Sequence, residues 1–99
     1  MPDNRRSDER VTLNLAAKWD GISGTHEGRI EDLSLRGCFV NTKGRVDVGE
    51  VVSLSLKLPC GEWLQVRGEV AKYHDGTGFG LLFSFLTAEE ELALRDLVI

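Results

Sequence analysis

Four stretches of this chain alternate apolar and polar residues with a period of two, a pattern that suits a half-buried β-strand and does not suit an amphipathic helix. Val11, Leu13, Leu15, Ala17 and Trp19 form the first, and Val52, Leu54, Leu56 and Leu58 the second. Leu64, Val66, Gly68 and Val70 form the third, and Phe79, Leu81, Phe83 and Phe85 the fourth. Between the first two, residues 25–33 can return as a strand after the turn signals Asp20-Gly21 and Ser23-Gly24. Residues 36–41 give a short further strand, with Cys38 and Val40 on one face and Phe39 on the other. Pro59-Cys60-Gly61 and Asp75-Gly76 mark tight hairpins. Strands this short, joined by turns this tight, predict a six-stranded antiparallel β-barrel, in which closure removes the exposed edges. Thr87 with Glu90 three residues later is a capping-box signature, so residues 87–98 are expected to form a helix that closes the barrel with Leu94, Leu97 and Val98. The fold class is therefore all-β with one helix.

A length of 99 residues, with 41% hydrophobic and 28% charged, suits one globular domain. Residues 11–99 are assigned to it, and residues 1–10 to a flexible arm carrying Arg5, Arg6 and Arg10 against Asp3, Asp8 and Glu9. No apolar run is long enough to cross a bilayer and no secretory apolar segment precedes the first strand, so no membrane insertion and a cytoplasmic location are expected. Cys38 and Cys60 lack paired spacing, and His26 and His74 are isolated, so neither a metal nor a redox dithiol is expected. No nucleophile–base set is suggested, which disfavours an enzyme. A net charge of −4 argues against DNA binding and requires any anionic ligand to be met by a local cationic cluster.

The candidate cluster centres on Glu31 to Phe39, EDLSLRGCF. On a strand, Asp32 and Ser34 share one face while Leu33 and Leu35 anchor the other. Gly37 then permits a turn or a close approach to the backbone. A hairpin turning near Ile22 sets Thr12 about opposite Asp32 and Arg10 about opposite Ser34. Arg6, four residues before Arg10, and Arg5 beside it could then fold back over an Asp32 and Ser34 floor. Read alone, Asp, Ser and Gly are also turn vocabulary, and the arm is also a charge-balanced solvated tail. Trp19 continues the apolar alternation and belongs to the core, while Trp63 lies on a polar face.

Arg6-x-x-x-Arg10 followed one hairpin later by Asp32-x-Ser34-x-x-Gly37 resembles the PilZ domain family of bacterial receptors for cyclic di-GMP. Gly78-Phe79-Gly80 and the closing helix are similar to the family's pattern, so the resemblance covers the whole chain. It implies a ligand-binding set of Arg5, Arg6, Arg10, Asp32, Ser34 and Gly37 and an effector protein that responds to ligand in motility, exopolysaccharide or virulence control. Guanidinium groups can take guanine O6 and N7, grip phosphate or stack on a purine, and a carboxylate at Asp32 accepts from guanine's N–H edge. The resemblance also implies that the residue at the position of Arg5 influences whether one or two ligands are held. With a second arginine there, two molecules per chain are expected. The alternative is a nucleotide-independent β-barrel adaptor for protein interaction.

Overall fold

The computed structural model describes residues 10–98. Six antiparallel strands, β1 (Val11–Gly21), β2 (Gly24–Leu33), β3 (Gly37–Asn41), β4 (Val51–Lys57), β5 (Trp63–His74) and β6 (Gly78–Phe83), are followed by one helix, α1 (Ala88–Val98). The strands close into a barrel in the order β1-β2-β3-β6-β5-β4, with β4 completing the ring against β1. The expected six-stranded barrel with a C-terminal helix is the observed fold.

The inward side of each alternation becomes the core. Ala17 and Trp19 of β1, Val52, Leu54 and Leu56 of β4, and Val66 and Val70 of β5 are all buried. Trp19 fills the interior beside Phe79, edge to face at 5.0 Å, and His26, stacked at 4.5 Å. A buried indole N–H needs an acceptor, and Thr42 Oγ1 supplies one at 3.1 Å.

The helix begins as its capping box requires. Thr87 Oγ1 accepts from the Glu90 amide at 3.1 Å, and the Thr87 amide donates to Glu90 Oε1 at 3.0 Å, so Thr87 is the cap and the helix proper starts one residue later than expected. Leu94 and Val98 are its buried residues, and Leu97 packs partly against the core. Arg67 of β5 ties the helix down, donating to Glu90 Oε2 at 2.8 Å and to the Phe85 carbonyl at 2.8 Å. The fourth alternation does not extend to Phe85. β6 ends at Phe83, and Phe85 is 90% exposed with φ of 52°, because the chain there leaves the barrel wall to reach the helix.

Candidate functional site

Three breaks in strand register lie close together on the barrel wall. In the β1–β2 ladder Thr12 pairs with Asp32 but the next recorded pair is Leu15 with Ile30, so Leu13 and Asn14 face Glu31 alone. In the β2–β3 ladder Ile30 pairs with Val40 and Asp32 with Phe39, which leaves Glu31 without a partner. In the β5–β6 ladder Val70 pairs with Leu81 and Lys72 with Gly80, which leaves Ala71 extra. Each extra residue lets two successive side chains emerge on the same side. Ile30 and Leu33 thus both stay in the core while Glu31 and Asp32 both stand outside it, and Ala71 and Lys72 are likewise both exposed beyond buried Val70.

These bulges border an open cavity of about 670 Å³, within the range of small-molecule sites. Direct pairing runs along its floor from Thr12 to Asp32, Phe39, Gly80 and Lys72, crossing β1, β2, β3, β6 and β5 in turn. Arg10 stands just beyond the Val11–Leu33 pair, and its Nη1 lies 3.2 Å from Asp32 Oδ2. Both side chains remain about half exposed, so the pair is accessible to a ligand. Glu31 also lines the cavity, and Asn41 Nδ2 donates to its Oε2 at 3.1 Å.

The expected pairing of Thr12 with Asp32 is observed, although the hairpin closes at Gly21 and Gly24, later than a turn centred on Ile22. The β1 bulge absorbs the difference before the chain reaches the site. The expected pairing of polar faces is not observed. Ser34 lies past the end of β2 and is 1% exposed, so it does not stand beside Asp32 on a common floor. Its Oγ accepts from the amides of Arg36 at 3.1 Å and Gly37 at 3.3 Å, and its own amide donates to the Gly37 carbonyl at 2.9 Å. A hydroxyl two or three residues before backbone amides can fold back on them in this way and stabilise a turn. Gly37 answers to the neighbouring strand instead of an open approach, since a Cβ there would stand 2.1 Å from the Leu81 carbonyl oxygen of β6. Of the three downstream motif residues, Asp32 alone faces the cavity, and Ser34 with Gly37 builds the turn that follows it. Arg5 and Arg6 lie outside the described residues.

Phe39 and Lys72 are cavity residues that motif spacing does not single out. For Lys72, as for Asp32, the signal is a broken alternation: in Ile30-Glu31-Asp32-Leu33 and Val70-Ala71-Lys72-Tyr73 two residues stand between the flanking apolar or aromatic ones where strict alternation allows one. Cys38 borders the cavity from the interior side, and its thiol is pushed up to about 12, chiefly by burial, with the Asp32 charge adding and Arg10 opposing. It behaves as a small hydrophobe and not as a nucleophile. Among the described residues no group of His, Cys, Asp or Glu is placed to hold a metal ion, and no helix is long and apolar enough to cross a membrane. An arginine and a carboxylate over an open, partly apolar floor can hold a flat ligand that offers both an anionic group and N–H donors.

Comparison with known proteins identifies the family and the fold. The PilZ domain matches residues 4–99, nearly the whole sequence. The chain belongs to the PilZ domain family. Members of this family typically bind cyclic di-GMP and are non-catalytic receptors. Among solved structures, the PilZ domain of CeSA from a cellulose-synthesizing bacterium superposes with a TM-score of 0.70 at 20% identity, covering 90% of this chain and 93% of that one. The PilZ domain of YcgR from Escherichia coli, solved with c-di-GMP, gives a TM-score of 0.75 at 14% identity over 90% of this chain and 85% of that one. The Borreliella burgdorferi PlzA protein in complex with c-di-GMP gives 0.68 at 15% identity, spanning all of this chain but 38% of that one. At such identities the likeness is one of fold. No curated protein sequence matches the chain.

Proposed function

We propose that this PilZ domain is a receptor for cyclic di-GMP and that the ligand occupies the bulge-bordered cavity. The observation that carries the reading is the meeting of Arg10 with Asp32 at that cavity, 3.2 Å apart and open to solvent. Asp32 accepts from the N–H groups on guanine's Watson–Crick edge, where adenine presents an acceptor at N1, so the carboxylate selects the base. Arg10 leaves Asp32 to take phosphate or the purine's Hoogsteen edge. Ser34 and Gly37 act on affinity through the turn that fixes the end of β2. Arg6 and Arg5 add the cations that the cavity needs, because Arg10 and Lys72 are there offset by Glu31 and Asp32.

Two molecules per chain fit this charge arrangement. Cyclic di-GMP carries two phosphates, and two interleaved molecules bring four together, whose repulsion the arm's arginines offset. The arm folds over the ligand and the altered surface engages an effector protein. A calorimetric titration with cyclic di-GMP tests the reading, with saturable heat and a stoichiometry of two expected. Arg5→Leu should bring the stoichiometry toward one while binding persists, and a wild-type stoichiometry of one removes the two-ligand arrangement. A second reading, a nucleotide-independent adaptor, draws support from Phe85, an aromatic side chain held almost fully in solvent. Absence of any binding heat with folded protein would favour it.

A further inference from the structure

Phe39 is the one partly buried aromatic residue among the described strands that packing against the core does not account for. It is partly buried, yet it belongs neither to the core nor to the side chains packed against the core. It stands on the outer side of β3 between two direct partners, Asp32 on β2 and Gly80 on β6, and all three line the cavity. Its ring reaches within 6.1 Å of the His74 ring on β5, tilted by 48°. To do so it passes over β6 where Gly80 and Gly78 present no side chain. Phe39 and His74 thus lean toward each other across β6, and Phe39 borders the cavity together with Asp32 and Gly80. At Gly80 a Cβ would meet only the flexible stem of Lys72, at 3.2 Å, so the space there is bounded by a movable side chain and not by backbone.

We infer that Phe39 is a stacking platform for one purine of the ligand, with Asp32 at that base's edge. The inference rests on the receptor reading above and adds to it the residue that holds the base by its face. Directly paired residues on adjacent strands have Cβ atoms about 4.5–5.5 Å apart. A base lying on the Phe39 ring therefore brings its rim to the Asp32 carboxylate without a further turn of the chain. Stacking supplies affinity that any flat base can claim, and the neighbouring carboxylate supplies the choice among bases. The separate structural role, an aromatic ring shielding glycine backbone, predicts a loss of stability on truncation but no optical response to ligand.

Three variants separate these roles in titrations with cyclic di-GMP. Phe39→Leu keeps an apolar side chain opposite Gly80 and loses the ring, and Phe39→Ala loses both. Each should weaken binding roughly tenfold or more, on the scale of base–aromatic stacking. Phe39→Trp should bind within about threefold of wild type, and its added indole should be quenched as guanine stacks on it. Wild-type emission gives the reference, because Trp19 is buried and Trp63 lines a different cavity, with Ala16 and Arg29. Folded Phe39→Leu that binds within twofold of wild type overturns the inference, as does a Phe39→Trp emission unchanged at saturation. Wild-type protein with no titration at all overturns the receptor reading itself, and this inference with it.

Discussion

The two sides of the barrel are built differently. On one side β4 pairs with β5 from Val51–Glu69 to Lys57–Trp63 without a break, and β1 with β4 from Ala17–Leu56 to Asp20–Ser53. On the other side the β1–β2, β2–β3 and β5–β6 ladders each slip once, and all three slips border the same cavity. Regular pairing gives a wall in which every second residue is core. A bulge gives up one ladder position and in return sets two neighbouring side chains outward, which is how Glu31 with Asp32, and Ala71 with Lys72, come to face solvent together. The proposed function thereby assigns stability and recognition to different arcs of a single ring.

The largest expected effect falls on the regular side. Leu54 is fully buried between Trp19 and Val66, its partners on the two neighbouring strands. Leu54→Ala should lower the unfolding free energy by about 2–5 kcal/mol, measured by urea denaturation. The dinucleotide affinity of the fraction that remains folded should hardly change. A large loss of affinity in folded Leu54→Ala would mean that the two arcs are not separable.

The bulged side should answer in the opposite sense. Arg10→Ala and Asp32→Ala should each weaken cyclic di-GMP binding by about 1.5–3 kcal/mol, the scale of hydrogen bonds to charged groups. Their melting temperatures should stay near wild type, since a half-exposed ion pair contributes about 0–1 kcal/mol. Asp32→Ala should also narrow the preference for cyclic di-GMP over cyclic di-AMP. An unchanged ratio would move base selection to the arginines.

Next in size is the anchor between the regular side and the helix. Hydrogen bonds from Arg67, and after them from the Thr87 amide, hold the Glu90 carboxyl below its ordinary value. A depressed carboxyl contributes stability that is present above its unfolded value, near 4.5, and is lost as pH falls through the lower folded value. Glu90→Gln should therefore cost about 1 kcal/mol at neutral pH. Its deficit relative to wild type should shrink below about pH 4.5. A deficit that persists unchanged into acid would assign the loss to packing instead of charge.

The regular side is the part most legible in the sequence, because a strict period of two maps directly onto an uninterrupted ladder. Trp19, Leu54 and Val66 can be placed inside from their spacing alone. The site is legible only in part. Arg10 and Asp32 follow from the motif and the hairpin register, whereas Ser34 and Gly37 do not show from spacing that they turn inward to make a bend. Their direction depends on where β2 stops, and that is decided by β6, whose Leu81 carbonyl crowds Gly37 and whose Phe83 amide donates to the Arg36 carbonyl at 2.8 Å. Phe85 fails for a related reason, since alternation continues in the letters after the strand itself has ended. Contacts between distant segments set such ends, and a local pattern does not contain them.

The smallest expected effect sharpens the comparison most, because it concerns a residue that the bulge exposes and the proposed recognition does not use. Glu31 has no ladder partner on β3, only the side-chain hydrogen bond from Asn41, and emerges beside Asp32, so the slip that presents one carboxylate also presents a second. A phosphate entering the cavity meets that second charge as a repulsion, only partly relieved by the hydrogen bond from Asn41. At the effective dielectric of a protein surface, and with salt screening, such a repulsion is worth somewhat under about 1 kcal/mol. Glu31→Gln keeps the shape and an acceptor oxygen for Asn41 while removing the charge. It should tighten cyclic di-GMP binding by roughly two- to fivefold at low salt, with the gain fading as ionic strength rises. Melting of the unliganded protein should be unaffected. A variant that binds more weakly than wild type would show that Glu31 contacts the ligand directly, and the bulge would then serve to present both carboxylates.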